Sequence, residues 1–340
     1  MLAAVLFFHM PASAISGEKA LVMDEIGSKV IYSKNCDRRS LIASTTKIMT
    51  GLLICENCNV LDPVKIPREA VGVEGSSMYL KEGEVLTVQE LLYGLMLRSG
   101  NDAAVALAIH DAGSVEKFAR KMNEKAAQLG MVNSHFENPN GLDSENHYST
   151  ARDLGILGLA AMKNPIFRRT VSTRQVKAGT RYLKNHNKML WQYPGADGIK
   201  TGYTRAAGRI LVSSAVRHGR RLVAVTIHAP DDWNDHRILL DQGFERCDEK
   251  LLIRKNEKVG EIPILSGTGS SAPILADRDF AFWAAEGEKA AVIYPGPGFA
   301  YAPVVKGSNA GEALVLLDGT VVGKIPVSWG ATLEQAEPQH

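Results

Sequence analysis

The chain has 340 residues, of which 45% are hydrophobic and 22% are charged. This length is too great for one ordinary domain and suggests about two, and the composition is typical of a globular protein with a real core. The net charge of +2 is too small to argue for a nucleic-acid partner, and we expect none. Residues 251–340 hold seven Lys or Arg and ten Asp or Glu, so the preceding part is mildly basic, which suits an anionic substrate.

The N-terminus reads "MLAAVLFFHMPASAISGEKA". Its apolar run from Leu2 to Met10 ends at Pro11, and "ASA" at 12–14 has the small-x-small form of a signal-peptidase site. The run is too short to span a bilayer as a helix, and a buried strand is the alternative. The absence of a basic segment ahead of it leaves open a start further upstream. We predict a signal peptide over residues 1–14 and an exported protein, located in the cell wall or at the outer face of the cytoplasmic membrane.

The next two-thirds of the chain alternate between hairpin and helix signals. Residues 20–33 predict a hairpin with Gly27-Ser28 in its turn. Residues 44–56 predict a helix that is apolar almost all round and therefore central. Further helix signals are a capping box at Thr87–Glu90, a cap at Asn101 or Asp102, the amphipathic stretch 114–129, and a start at Thr150.

A second hairpin is predicted over residues 209–228, around His218-Gly219, and a helix follows over residues 234–246. The sequence thus predicts a mixed α/β (α+β) body over residues 15–250, with strands at both ends and helices between. From residue 251 the signals are short strands separated by Gly and Pro turns. We therefore predict a small all-β domain over residues 251–332 and a loose polar tail over residues 333–340.

The four cysteines include one CxxC motif, Cys55-Glu-Asn-Cys58. It has neither a second CxxC nor a nearby histidine pair, so it does not indicate a zinc site. It also lies at the end of a predicted helix, whereas a redox motif usually opens one. The sequence favours small buried residues or an incidental disulfide, and leaves the role of the pair open.

Ser44 and Lys47, in "ASTTKIMTG", lie one helical turn apart on one face of an apolar segment. A serine is a poor nucleophile until a base removes its proton, and a lysine can act as that base only when it is neutral. Burial and a nearby cation both lower a lysine pKa, so the apolar setting is the condition that this chemistry needs. The pair by itself is weak evidence, because a buried polar pair with an outward-reaching amine is the commoner situation.

Two further motifs follow in the chain. Ser99-Gly100-Asn101 lies at a predicted helix–helix junction, where a hydroxyl and an amide on a tight turn can line a cleft. Lys200-Thr201-Gly202 lies at or just before a predicted edge strand, where it supplies a cation, a hydroxyl and room for a substrate backbone. The stretch "YLKNHNKML" over residues 182–190 precedes this motif, and we expect its polar groups to support the cleft or to bind substrate.

The order SxxK, SxN and KTG is the motif set of penicillin-binding proteins and class A β-lactamases. The segments "VEGSSMYLKEGEVLTVQELLYGLMLRSGNDAAVALA", "NPNGLD", "HYSTARDL" and "DGIKTGYT" extend the likeness. Over about residues 17–250 the chain resembles a low-molecular-mass penicillin-binding protein, a serine-type D-alanyl-D-alanine carboxypeptidase. The C-terminal part resembles that family's β-rich domain more loosely, and the cysteine pair and "APDDWNDH" resemble Gram-positive, clostridium-like members.

The resemblance implies a serine β-lactamase/transpeptidase-like catalytic domain that needs no metal or organic cofactor. It implies that Lys47 deprotonates Ser44, which attacks the last peptide bond of a peptidoglycan stem peptide ending in D-Ala-D-Ala. β-Lactam antibiotics would acylate the same serine and act as inhibitors. Peripheral association with a membrane stays open.

The same resemblance assigns roles to the other two motifs. Ser99 would relay a proton to the leaving amine, and Asn101 would orient the substrate amide. The backbone N–H groups of Ser44 and Tyr203 would bind the oxyanion. Lys200 and Thr201 would hold the terminal carboxylate, beside Gly202, and the charge on Lys200 would keep Lys47 deprotonated.

One departure from the family concerns an arginine that some members place after the KTG strand to bind the carboxylate. The stretch "AVTIHAPDDW" has His228, Ala229 and Pro230 and no arginine. We therefore expect carboxylate recognition to rest on Lys200 and Thr201, with Arg205 as a candidate for assistance.

Several other functions are compatible with the same motifs. A class A-like β-lactamase would need a glutamate to activate the deacylating water, and Glu137 in "ENPNGLD" is the candidate, although its spacing to the asparagine is one residue short. A DD-endopeptidase or transpeptidase acting on cross-links would use the same centre. A non-catalytic wall-binding protein is the alternative from a different class. His147 is expected to pack near the cleft.

Overall fold

The computed structural model describes residues 15–337. The predicted signal peptide lies outside the described residues. The chain divides into two compact units, one made of the residues up to Arg217 together with Arg221–Phe244, and the other of His218–Arg220 together with the residues from Glu245 onward. The main segment of the second unit, which starts at Glu245, begins six residues before the boundary predicted from the sequence.

An antiparallel five-stranded sheet in the order β2-β1-β9-β8-β7 forms the centre of the first unit. Two hairpins confirm the predicted turns at Gly27-Ser28 and His218-Gly219. Two small two-stranded sheets, β3-β4 and β5-β6, lie outside it. The strands are β1 Lys19–Asp24, β2 Val30–Lys34, β3 Pro63–Lys65, β4 Val85–Thr87, β5 Gln175–Ala178, β6 Arg181–Lys184, β7 Ala196–Thr204, β8 Gly208–Arg217 and β9 Arg220–Ile227.

Helices fill the interval between the first and last strands of this sheet, as predicted. Nine of the eleven residues of α1 are buried, because its neighbours cover it on all sides. Thr87 and Glu90 form the predicted capping box of α2, and Thr150 caps α5. The helices are α1 Lys47–Asn57, α2 Val88–Leu97, α3 Asn101–Ala112, α4 Val115–Gln128, α5 Ala151–Lys163, α6 Pro165–Ser172, α7 Met189–Gln192 and α8 Asp232–Phe244.

Glycines let α5 pack directly on the central sheet. A Cβ on Gly155 would lie 2.5 Å from Leu21 of β1, and a Cβ on Gly158 would lie 3.0 Å from Val223 of β9. Because these two glycines are three residues apart, they share one helix face. This close approach places the sheet and α5 around one apolar core that also includes α1.

The second unit is all-β. Its six-stranded sheet has the order β14-β16-β17-β12-β11-β15, and β10 pairs with β13. Alternate residues of β12 and of the second half of β16 are buried, as expected of strands that cover a core on one face. The strands are β10 Cys247–Ile253, β11 Lys258–Leu265, β12 Ser271–Ala276, β13 Phe280–Ala285, β14 Ala290–Ile293, β15 Ala300–Tyr301, β16 Asn309–Leu317 and β17 Thr320–Trp329.

Part of the C-terminal tail is held by backbone hydrogen bonds. Leu333 exchanges two with Val304, of 2.9 and 3.0 Å, and Ala336 donates one of 2.8 Å to Ser266. The prediction of a loose tail is therefore wrong for residues 333–336, because the polar side chains do not prevent backbone pairing. Among residues 15–337, no helix is long and apolar enough to cross a membrane.

Candidate active site

Ser44 lies in a 3-10 turn, Ala43–Thr46, that leads directly into α1. The residue before it, Ala43, has a positive φ of 44°. Gly141 packs against this turn so closely that a Cβ there would lie 1.9 Å from the Ala43 carbonyl oxygen. The turn therefore has little room to move, and it presents Ser44 at the wall of a cavity of about 330 Å³.

Lys47 is fully buried and meets three polar atoms. Its Nζ lies 3.0 Å from Ser44 Oγ, and it donates to Asn101 Oδ1 and to the Asn140 carbonyl oxygen, both at 2.6 Å. The amide of Asn101 is fixed in this orientation, because its Nδ2 donates to the Glu74 carbonyl at 2.6 Å. Both partners besides Ser44 can only accept. A neutral amine with two N–H groups would therefore direct its lone pair at the Ser44 hydroxyl.

The electrostatics of the site favour that neutral amine. Burial, followed by the charge on Lys200, holds the pKa of Lys47 well below its usual range, and Asp102 opposes the shift. Burial also lowers the pKa of Lys200, to about 7. The two lysines are thus electrostatically coupled, as the sequence interpretation required of a lysine base.

Ser99 and Asn101 flank the junction of α2 and α3. Ser99 has a φ of 61°, is buried and lines the Ser44 cavity. The N-cap of α3 is Gly100, without a side-chain cap, so the expectation of a cap at Asn101 or Asp102 is wrong. The carboxylate of Asp102 instead accepts from the backbone N–H of Met78 at 2.9 and 3.0 Å and from other groups of the loop before α2. It thereby holds that loop beside the cavity.

The KTG motif lies within β7, the edge strand of the central sheet. Thr201 and Tyr203 line the Ser44 cavity together with Gly202. A Cβ on Gly202 would lie 3.2 Å from the Ile42 carbonyl and 3.3 Å from the Thr45 nitrogen. The strand therefore passes directly against the turn that carries Ser44, and a side chain at this position would press on it. The buried Nζ of Lys200 donates to the Thr201 carbonyl at 2.8 Å.

The arginine in this cavity differs from the one that the sequence suggested. Arg205 lies in the exposed turn between β7 and β8 and is not among the residues that line the cavity. Arg209, on β8 directly opposite Tyr203, does line it. Its Nη2 donates to both oxygens of the buried Asp232, at 2.7 and 3.0 Å. Arg209 was not predicted from the sequence, although its position in the strand that follows the KTG strand was the signal that could have found it.

His147 and Glu137 do not reach Ser44. The imidazole of His147 is buried, its Nε2 lies 2.8 Å from Thr46 Oγ1, and burial lowers its pKa to about 4. It contacts the turn Ala43–Thr46 that carries Ser44, which we call the nucleophile turn, and so packs near the cleft as expected. Glu137 is exposed, accepts a short hydrogen bond from Ser144, and is absent from the walls of the Ser44 cavity. The glutamate that a class A-like β-lactamase would need is therefore not supplied by Glu137.

The cysteines and the metal-binding residue types show no second centre in the described part of the chain. Cys36, Cys55 and Cys58 form no disulfide within residues 15–337, and burial raises the pKa of Cys55 to about 12 and that of Cys58 to about 11. Thiols with such pKa values are almost entirely protonated at neutral pH and react slowly. Within residues 15–337, no cluster of three potential metal ligands occurs.

The fold and the site together define a serine hydrolase of the β-lactamase and transpeptidase type. The family model for D-alanyl-D-alanine carboxypeptidase matches residues 7–231, and that for the penicillin-binding protein 5 C-terminal domain matches residues 248–335. The chain therefore belongs to the D-alanyl-D-alanine carboxypeptidase family. This result confirms the resemblance inferred from the three motifs and the predicted fold class.

Relatives match over most of their length. The D-alanyl-D-alanine carboxypeptidase DacF of Bacillus subtilis is 32% identical over 339 residues, which cover 95% of this chain and 87% of the relative. DacA of Escherichia coli is 31% identical and covers 92% and 82%. Among solved structures, penicillin-binding protein 5 of Haemophilus influenzae is 28% identical with a TM-score of 0.69, over 96% of this chain and all of that one. A Streptomyces DD-transpeptidase mutant is 34% identical with a TM-score of 0.64, over 68% and 98%.

Proposed function

We propose that this enzyme removes the terminal D-alanine from peptidoglycan stem pentapeptides outside the cytoplasm, through a serine acyl-enzyme. The observation that carries the proposal is the buried Lys47 amine, 3.0 Å from Ser44 Oγ and held by two acceptors. No other base reaches the serine in the described residues.

The first step acylates Ser44. Neutral Lys47 takes the hydroxyl proton while Oγ attacks the carbonyl carbon between the last two D-alanines. The C–N bond then breaks, and Ser99, which lines the same cavity, relays a proton to the leaving amine. The fixed amide of Asn101 orients both Lys47 and the substrate amide. General-base catalysis of this kind contributes about 10²–10⁴-fold to the rate.

Backbone N–H groups stabilise the negative charge that develops on the reacting carbonyl oxygen. The backbone N–H groups of Ser44 and Tyr203 bind the oxyanion, and one such donor is worth about 10²–10³-fold in rate. This assignment is supported by the close packing of β7 on the nucleophile turn at Gly202.

The terminal carboxylate binds to Lys200 and Thr201 of β7, with Arg209 as a further cation. Within the described residues, Asp232 accepts hydrogen bonds from Nη2 of Arg209 only. The other N–H groups of the guanidinium are therefore available for a second carboxylate. Asp232 orients the guanidinium and partly offsets its positive charge. The weaker attraction for the carboxylate favours release of D-alanine after the reaction.

Water then hydrolyses the ester, with Lys47 again as the base, and restores the Ser44 hydroxyl. β-Lactams place a carboxylate and a strained amide in the same positions, so they acylate Ser44 and block the enzyme. No step needs a metal or an organic cofactor.

The test combines two readouts on the purified chain: release of D-alanine from a stem pentapeptide, and mass spectrometry of a penicillin adduct. We expect D-alanine release and a long-lived adduct on Ser44, and expect Ser44→Ala to lose both. Rapid steady-state hydrolysis of penicillin would instead indicate a β-lactamase. A correctly folded chain that neither labels nor releases D-alanine would indicate a non-catalytic wall-binding protein.

A further inference from the structure

The carboxylate of Asp235, in the first turn of α8, is buried and takes no part in the reaction described above. One short segment near the start of the chain supplies three hydrogen bonds to it. The backbone N–H and the hydroxyl of Ser16 both donate at 2.8 Å, and the backbone N–H of Gly17 donates at 2.9 Å. Donors of this kind stabilise a buried charged carboxylate. Asp235 therefore ties two segments together that lie 219 positions apart in the sequence.

We call residues 15–17 the N-terminal strap, because they bind across the start of α8. The Ser16 hydroxyl, which donates to Asp235, also accepts from the backbone N–H of Asp231 at 3.0 Å. The side chain of Ile15 is buried in an apolar cluster that includes residues of α8. The strap is therefore bonded to the residue before α8 and to its first turn, and it packs on the apolar face of the helix.

The first turn of α8 also forms one wall of the Ser44 cavity. Asp232, its first residue, is buried and accepts two hydrogen bonds from Arg209, at 2.7 and 3.0 Å. The centre of the Trp233 ring, which lines the same cavity, lies 5.8 Å from the guanidinium carbon of Arg209. Asp235 lies one helical turn after Asp232 and does not line the cavity. The same turn thus binds the strap on one side and Arg209 on the other.

Position and charge both couple Asp235 to the ion pair of Arg209. The backbone N–H of Asp235 donates to the Asp231 carbonyl at 3.0 Å, so the start of the helix moves as one unit. Burial raises the pKa of Asp232, the hydrogen bond from Arg209 opposes that shift, and the charge on Asp235 adds to it. Loss of the strap would leave the buried Asp235 charge without its donors beside Asp232, and the helix start would have to shift to hydrate it.

We propose that Asp235 is a positioning residue for recognition of the terminal carboxylate of the substrate. By binding the N-terminal strap it fixes the first turn of α8, and this turn holds Asp232 and the guanidinium of Arg209 in the orientation that meets the carboxylate. The inference rests on the proposed function, in which Arg209 is a cation for that carboxylate. Because Asp235 reaches neither the cavity nor Ser44, its contribution falls on KM rather than on kcat.

The experiment measures kcat and KM of the full chain for release of D-alanine from a stem pentapeptide. Asp235→Asn removes the charge and turns an N–H group toward the donors of the strap. We expect KM to rise by about three- to tenfold, the value of one hydrogen bond, with kcat within about twofold of the wild type. Asp241→Asn is the matched control, because it removes another carboxylate of α8, one bonded to Tyr193 and Arg217 away from the Ser44 cavity. It should change neither quantity.

Two further comparisons separate positioning from a general loss of stability. Ser16→Ala removes one donor to Asp235 and should also raise KM, whereas Ser16→Thr keeps the hydroxyl at this exposed residue and should give the KM of the wild type. In the Arg209→Ala background, Asp235→Asn should lower kcat/KM by less than about twofold, because effects that pass through one group do not add. Circular dichroism checks the fold of each variant.

Several outcomes would overturn this inference. They are an unchanged KM in Asp235→Asn, an equal rise in Asp241→Asn, and losses that multiply when Asp235→Asn is combined with Arg209→Ala. If Asp235→Asn does not fold, Ser16→Ala and Ser16→Thr in both backgrounds decide by the same criteria. An unchanged KM in Arg209→Ala would overturn the inference and leave the release of D-alanine intact. A chain with neither D-alanine release nor a penicillin adduct would overturn the proposed function itself.

Discussion

Lys47 Nζ and Asn101 Oδ1 lie 2.6 Å apart, although 54 residues separate them in the chain. The contact joins the first turn of α1 to the first turn of α3, and it brings two of the three sequence motifs into one hydrogen-bonded unit. Because the Asn101 amide is anchored on the Glu74 carbonyl, it accepts from Lys47 and does not compete for the lone pair. The geometry directs the lone pair of a neutral Lys47 at Ser44, and the lowered pKa of Lys47 favours that neutral form.

Lys47→Arg tests this role. A guanidinium keeps the positive charge but does not lose its proton at accessible pH, so it cannot deprotonate Ser44. We expect both penicillin acylation and D-alanine release to fall by about 10²–10⁴-fold, the usual contribution of a general base. Rates of acylation should be measured by mass spectrometry on protein whose fold is checked by circular dichroism. Acylation at a near-normal rate in the folded variant would mean that another group serves as the base.

The pKa of Lys200 predicts a pH dependence. Burial lowers this pKa to about 7 in the empty site, so the amine is mainly charged below pH 7 and mainly neutral above it. A substrate carboxylate binds the charged form, so kcat/KM should fall as the pH rises through about 7, while the requirement for neutral Lys47 gives a limb of the opposite sign. Lys200→Arg, which stays charged, should lose the alkaline limb. A wild-type profile that stays level from about pH 7 to 9 would contradict this role.

Arg209 and Arg205 are competing candidates for recognition of the substrate carboxylate. Arg209 lines the Ser44 cavity, and Arg205 lies in the exposed turn of the same hairpin. We expect Arg209→Ala to lower kcat/KM for the pentapeptide by about 10- to 100-fold, the value of one or two charge-assisted hydrogen bonds, mainly through KM. Arg205→Ala is the matched control and should have little effect. The reverse ranking would return the role to Arg205.

Gly141→Ala tests the support of the nucleophile turn. Gly141 and Gly130 both have a positive φ, of 85° and 75°. A Cβ on Gly141 would lie 1.9 Å from the Ala43 carbonyl oxygen, whereas a Cβ on Gly130 would have no atom within 4 Å. Gly130→Ala should lower the free energy of unfolding by about 1–2 kcal/mol through backbone strain alone. Gly141→Ala should cost about 3 kcal/mol or more and slow acylation of Ser44 as well. Urea denaturation gives the first quantity, and similar losses in the two variants would show that the turn tolerates displacement.

Glu137→Gln addresses the β-lactamase alternative. The carboxylate is exposed and bonded to Ser144, outside the Ser44 cavity. We expect the lifetime of the penicillin adduct to be the same in the variant and the wild type. A markedly longer lifetime in Glu137→Gln would show that this carboxylate activates the deacylating water.

Much of the local structure followed from the sequence. The capping box at Thr87 and Glu90, the two hairpins with glycine in their turns, and the buried helix around Lys47 depend on interactions between near neighbours, which a local pattern records. The motif set also determined the family. The backbone pairing of residues 333–336 was not predicted. Its partner residues are distant in the sequence, and such pairing leaves no signature in the residues of a polar tail.

The sequence by itself identified the candidate residues for the chemistry, because SxxK, SxN and KTG occur in a fixed order that few other functions share. Only the tertiary structure decided how they act together. It showed that Asn101 and Asn140 take the two N–H bonds of Lys47, and that Arg209 rather than Arg205 lines the cavity. These relationships join segments tens to more than a hundred residues apart, and such distances are set by packing of the whole core rather than by local pattern.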